Sequence, residues 1–77
     1  MAKKPYIFDQ VSLKISAKIK LLRINAGYTS YETFANDVDI DRKQYWRIEN
    51  GANITMKTLI ILLNKHGISL EDFFRDL

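Results

Sequence analysis

The 77-residue chain contains no cysteine, which excludes disulfides, thiolate metal ligands and thiol nucleophiles together. It has one histidine, too few for a zinc site without cysteine. The longest uncharged run, residues 24–31, is far shorter than the roughly 20 apolar residues of a membrane-spanning helix. The start of the chain lacks the apolar segment of a signal peptide. We therefore expect a soluble, cytoplasmic domain with no cofactor, no metal and no membrane association.

The residues that are present indicate a folded domain with an uneven charge distribution. An apolar content of 47% is too high for a disordered chain, and a charged content of 27% is ordinary for a globular one. The net charge is +3, yet residues 24–41 contain no lysine or arginine and four acidic residues. Basic residues concentrate before this segment and again in residues 42–47. Separate basic and acidic surfaces indicate a polyanionic partner.

Apolar residues recur at helical spacing and predict an all-α fold of five short helices. The stripe of the first helix consists of Val11, Ile15, Ile19, Leu22 and Ala26. Gly27, one of only three glycines, is suited to end that helix. Residues 1–10 lack such a stripe, and the single proline, Pro5, favours an extended conformation. We predict an N-terminal arm over residues 1–10 and one domain over residues 11–77.

Capping patterns predict where the other helices begin and end. Three starts have capping-box spacing, with a small polar residue three positions before Glu, Gln or Asp: Thr29, Asp41 and Ser69. Thr55 can cap the fourth helix, and Asn50-Gly51 and Gly67 mark helix ends. The fourth helix is apolar nearly all round and is predicted to be central and buried, with Met56, Leu59, Ile60, Leu62 and Leu63.

Only about three residues separate the second and third helices, the arrangement that presents a recognition helix to the major groove. The run IDRKQYWRIENG, residues 40–51, resembles the turn and recognition helix of the Cro and lambda-type repressor family, also called XRE-type helix-turn-helix domains. Phe34-Ala35 and residues 62–74 are similar to further segments of that family, although Asp39 replaces its usual turn glycine. The resemblance implies a lambda-repressor-like DNA-binding domain in residues 11–77, acting as a sequence-specific transcriptional regulator.

Helical geometry places four side chains of the third helix on one face. With Arg42 at zero and about 100° per residue, Trp46 lies at about 40°, Lys43 at about 100° and Arg47 at about 140°. The opposite side carries Gln44, Tyr45 and Ile48. Arginine can bond a guanine bidentately, and lysine suits a guanine or a phosphate. The indole could be buried against a neighbouring helix, or could contact a sugar, a phosphate or a thymine methyl in the groove. We predict base contacts from Arg42, Lys43, Trp46 and Arg47, against the alternative of a merely solvated face.

Phosphate contacts are expected from helix starts and loops on either side of the third helix. The candidates are Ser30, Tyr31, Asn50, Asn53 and Lys57. For Asn50 a helix-capping role is the alternative. Arg23 and Glu49 resemble the family's buried ion pair between the first helix and the end of the third, and Arg23 could also touch a phosphate.

The sequence gives little support for catalysis, and we do not expect an enzyme. His66 lies in the last turn of the fourth helix, where a cation interacts favourably with the helix terminus. The expected partner is double-stranded DNA with a palindromic operator, bound by a homodimer, because one short helix buries too little surface for tight specific binding. The alternative is an antitoxin-like or regulatory protein-protein interaction module in the same fold. Phe73, Phe74 and Leu77, close to the C-terminus, are candidates for that protein contact or for the dimer seam, with Phe73 expected in the core and Phe74 open.

Overall fold

The computed structural model describes residues 5–75 and 77, and this part of the chain forms five α-helices without a strand. The all-α class predicted from the sequence is confirmed. In the described residues, no helix is both long and apolar enough to cross a membrane. The helices are α1 (Phe8–Asn25), α2 (Tyr31–Asp37), α3 (Arg42–Glu49), α4 (Met56–His66) and α5 (Leu70–Arg75).

The first helix begins three residues before the predicted start at Val11. The amide of Val11 already donates to the carbonyl of Ile7 at 3.1 Å, and Asp9 lies in the first turn, where a carboxylate is favourable. The predicted arm over residues 1–10 is therefore too long at its C-terminal end, and its residues 1–4 lie outside the described residues. The apolar stripe marks the part of α1 that packs, whereas Phe8 extends the helix with an exposed side chain.

Side-chain caps start the later helices, three of them at the residue that the local sequence predicts. Asp41, Thr55 and Ser69 each accept a hydrogen bond from the backbone amide three residues on, at 3.1 to 3.2 Å. The prediction of Thr29 as the cap of α2 is wrong. Ser30 holds that position, and its hydroxyl accepts from two amides at 3.2 and 3.3 Å.

The core lies where all five helices meet. Its members are all buried side chains: Ile19, Phe34, Ala35, Tyr45, Ile48, Leu59, Leu62, Leu63 and Phe73. The prediction of a fully buried α4 is wrong, because only its leucine side faces the core, while Met56 is 61% and Ile60 41% exposed. The other four helices do not cover all sides of α4, so one apolar side stays uncovered. Phe73 is buried and Phe74 is 40% exposed, as predicted.

The structure gives His66 a packing role instead of the predicted one of a helix-terminal cation. Its ring stacks on Phe34 with centroids 5.1 Å apart. Burial, followed by the charge of Lys65, lowers the pKa of His66. Its Nε2 is buried without a hydrogen-bond partner among the described residues, so the neutral ring is the favoured form.

Candidate nucleic-acid interface

The geometry of α3 begins in the turn that precedes it. Asp39 occupies the left-handed region at φ 57°, a conformation that Asp tolerates better than most residues. The amide of Ile40 then donates to the carbonyl of Ala35 at 3.0 Å, which closes the turn back onto α2. The rings of Phe34 and Tyr45 pack against each other across the two helices, with their centroids 5.2 Å apart. The turn and this contact fix the angle at which α3 leaves α2.

The two sides of α3 differ sharply in exposure. Tyr45 is 0% and Ile48 3% exposed. The four predicted base-contacting residues are all exposed: Arg42, Lys43, Trp46 and Arg47. Trp46 is 49% exposed and is therefore not enclosed between α3 and a neighbouring helix. Gln44, expected to point away from this face into the protein, is exposed as well, because it lies at the edge of the buried side.

Two helices contribute to a depression on this exposed side. Its volume is about 250 Å³, and it is lined by Tyr31, Lys43, Trp46 and Arg47. Tyr31 is the first residue of α2 and is half-buried, with apolar packing against the core. Two aromatic side chains and two cations thus meet where the start of α2 lies beside the middle of α3.

A buried ion pair holds the far end of α3 against α1. Arg23 donates from Nε to Oε2 of Glu49 at 2.7 Å and from Nη2 to Oε1 at 3.1 Å. Its Nη1 donates to the carbonyl of Tyr28 at 2.8 Å. The hydrogen bond to Glu49 raises the pKa of Arg23. The side chains are 6% and 4% exposed, so the guanidinium is committed inside the protein and has no open surface for a phosphate.

The comparison with known proteins agrees with this geometry. A family model described as helix-turn-helix matches residues 19–73. The chain belongs to the XRE-type helix-turn-helix family. It is similar to control protein C.MunI from Mycoplasma sp, with 33% identity over 70 residues, covering 90% of this chain and 95% of that protein. No solved structure matches. The helix-turn-helix protein is a DNA-binding transcriptional regulator.

In this helix-turn-helix domain, the segment after α3 carries the remaining predicted phosphate contacts. Asn50 donates from Nδ2 to the carbonyl of Trp46 at 2.7 Å, so it also satisfies the end of α3, the alternative role considered for it. Asn53 and Lys57 are exposed. Ser30 comes before α3 in the chain, at the start of α2. It is half-buried and uses its hydroxyl to cap α2.

A serine that sequence reasoning missed also positions the end of α3 in the helix-turn-helix domain. Ser16 is buried on α1 and its hydroxyl accepts from the amide of Gly51 at 3.0 Å. Gly51 has φ +96°, and a Cβ there would lie 3.1 Å from Cδ2 of Leu13. Both the backbone conformation and the limited space therefore favour glycine at this position. The signal was available, because Ser16 lies three and seven residues before the buried Ile19 and Arg23.

An acidic residue lies beside the exposed side of α3 in the helix-turn-helix domain. Oε2 of Glu32 is 3.7 Å from Nη1 of Arg42, and both side chains are more than half exposed. Exposed pairs of this kind contribute little to stability. In the described part of the chain, no group of three His, Asp or Glu side chains could hold a metal ion.

Proposed function

We propose that this regulator is sequence-specific and reads the major groove of duplex DNA with α3. The observation that supports this most strongly is the division of α3 into a buried side, with Tyr45 and Ile48, and an open basic side. A major groove accepts an α-helix, and arginine and lysine recognise guanine edges there. The base-contacting residues are Arg42, Lys43, Trp46 and Arg47.

Residues on either side of α3 hold the DNA backbone in this proposal. Tyr31 and Ser30 lie at the start of α2, and Asn50, Asn53 and Lys57 follow α3. Such contacts fix the position of a domain on the duplex without distinguishing sequences. Lys57 is the clearest anchor, because it is an exposed cation in the first turn of α4. Arg23 and Glu49 act through structure, by holding the end of α3.

The regulator acts as a homodimer on a palindromic operator. One short recognition helix covers few base pairs, and two-fold symmetry places two of them about one helical turn apart. An uncovered apolar surface supports this: Met56 and Ile60 are exposed on α4, as is Leu70 on α5. A groove of about 240 Å³ runs between these helices, here called the α4–α5 groove, lined by Ile60, Leu63, Asn64, Ile68, Ser69 and Leu70. We assign the dimer contact to this groove.

A protein-interaction module remains the second candidate, and one observation favours it. A separate depression of about 390 Å³, here called the C-terminal groove, lies along α1 and is lined by Tyr6, Val11, Lys14, Phe74 and Leu77. Exposed aromatic and aliphatic groups there suit an apolar segment of another protein. This function is compatible with DNA binding, whereas on its own it gives no reason for the basic side of α3. Neither candidate requires enzymatic activity, and we infer a cytoplasmic location for this regulator from its DNA-binding domain.

A salt titration of DNA binding tests the proposed function. The protein first selects a duplex from a random pool, and its affinity is then measured by fluorescence anisotropy between low and moderate salt. Log affinity should fall against log salt with a slope of roughly −0.9 per contacted phosphate, with two chains per duplex. Arg47→Ala should weaken binding, whereas Arg75→Ala, with the same charge change on α5, should not. Affinity independent of salt, or equal losses in both variants, would contradict the proposal.

A further inference from the structure

The depression between α2 and α3 has a composition that phosphate binding does not explain. We call it the aromatic notch, formed by Tyr31 and Trp46 with Lys43 and Arg47. A phosphate needs charge and hydrogen-bond donors, which the two cations supply without the rings. The rings instead provide apolar walls, and Trp46 keeps 49% of its surface exposed. Covering the exposed part of an aromatic ring with an apolar group lowers the free energy, because apolar surface is removed from water.

Both aromatic walls of the notch are attached to fixed parts of the fold. Tyr31 packs partly against the core. The backbone of Trp46 belongs to α3, and its carbonyl accepts from Asn50 at 2.7 Å. The buried neighbours of Trp46, Tyr45 and Ile48, hold that helix in place. The backbone that carries both rings is therefore fixed before a ligand arrives, which lowers part of the entropic cost of filling the notch.

The edge of a base pair offers one apolar group in the major groove, the methyl on C5 of thymine. Guanine, adenine and unmodified cytosine present only donors and acceptors there. A helix lying in the groove brings its middle residues closest to these edges, and Trp46 is the fifth of the eight residues of α3. The cations of the notch then contact the polar neighbours of that methyl, a guanine edge or a phosphate.

We propose that the aromatic notch accepts the C5-methyl group of a pyrimidine and so specifies one position in each half-site. This rests on the proposed binding of α3 in the major groove. The proposal gives the ring of Tyr31 a base contact in place of the phosphate contact predicted for that residue. Thymine carries the methyl always, and cytosine carries it at the same place in the groove after methylation, so both are sources of the same chemistry.

Replacing each thymine of the selected duplex in turn by deoxyuridine removes the methyl and nothing else. One thymine position in each half-site should respond. Affinity should fall about three- to fourfold when that thymine is replaced in one half-site and roughly tenfold when it is replaced in both, as expected for one buried methyl group per half-site. The same replacement should have no effect on Trp46→Ala. Tyr31→Phe, which keeps the ring and removes the hydroxyl, should retain the full effect, as should Lys57→Ala.

A second pair of duplexes distinguishes the two sources of the methyl. That position is changed to cytosine, with and without a 5-methyl group, and the methylated form should bind better by a similar factor. Tighter binding of the thymine duplex than of the methylcytosine duplex would identify thymine as the preferred source, and the reverse would identify methylcytosine.

Two results would overturn the proposal while the proposed function stands. One is undiminished binding of every deoxyuridine duplex by the wild-type protein. The other is a methyl effect that persists in Trp46→Ala. A protein that selects no duplex at all would instead refute the proposed function and this proposal together.

Discussion

Two buried polar residues of α1 determine how the end of α3 is held. Arg23 binds Glu49 and Ser16 binds the amide of Gly51, so both contacts reach the C-terminal end of α3 and the residues just after it. Buried polar groups cost free energy unless they are paired, and here each pairing also positions the open basic side of α3. Small changes in these residues should therefore alter stability first and DNA binding through it.

Removing the carboxylate of the buried pair should strongly destabilise the domain. Glu49→Ala leaves the Arg23 guanidinium without its charged partner at 6% side-chain exposure, and the expected loss is about 3 to 5 kcal/mol in the free energy of unfolding. Urea denaturation followed by circular dichroism measures it. Glu32→Ala, which removes a carboxylate from an exposed pair, is the control and should cost less than about 1 kcal/mol. Similar losses in both variants would show that the buried pair has no special role.

His66 should make the free energy of unfolding depend on pH at and below the unfolded pKa of about 6.5. Burial lowers its pKa in the folded state, so the unfolded chain binds the proton first as pH falls through the unfolded value of about 6.5. The free energy of unfolding should consequently decrease with falling pH until the folded state is protonated too. His66→Phe, which preserves a ring against Phe34, should flatten this dependence. An unchanged slope in the variant would assign the effect to other groups.

At the scale of the helices, short-range chemistry predicted most boundaries. Three of the four predicted caps, Asp41, Thr55 and Ser69, are confirmed because a cap depends on residues three positions away. The cap of α2 is Ser30 and not the predicted Thr29. There the preceding loop is held by the bond from Arg23 to the Tyr28 carbonyl, a contact with α1 that local sequence does not contain.

Contacts between helices explain what the sequence did not predict. Which side of α4 is exposed depends on how the other helices surround it. The apolar content of α4 alone predicted that Met56 and Ile60 are buried, whereas both are exposed. The stack of His66 on Phe34 is likewise a tertiary contact. The exposed position of Trp46 followed from helical spacing, whereas its proximity to Tyr31 required the angle between α2 and α3.

The two apolar grooves make different predictions for assembly. If the α4–α5 groove is the dimer contact, Ile60→Lys should shift the protein to monomers and weaken operator binding, since a buried unpaired lysine is costly at a seam. Phe74→Lys, in the C-terminal groove, should leave the dimer intact. Both residues are close to 40% exposed, so neither change should unfold the domain. Analytical ultracentrifugation with and without duplex measures the oligomeric state of each variant. If only Phe74→Lys produced monomers, the dimer contact would lie in the C-terminal groove instead.

At the scale of the whole molecule, the core and α1 form a scaffold that presents three surfaces. These are the open basic side of α3, the α4–α5 groove and the C-terminal groove. Lys18 is a basic residue with a structural role. Its Nζ donates to the carbonyls of Asp72 and Phe73 and so attaches α5 to α1. The charge distribution along the chain indicated a polyanionic partner, and only the fold separates structural cations from available ones.

The division between base-reading and backbone-holding residues is tested most directly by comparing affinities for the selected duplex and for random duplex. Arg42→Ala and Arg47→Ala should each cost about 1 to 3 kcal/mol on the selected duplex and relax its base preference, with a much smaller loss on random DNA. Lys57→Ala should weaken both duplexes alike. Equal losses on the two duplexes for all three variants would contradict major-groove reading by α3.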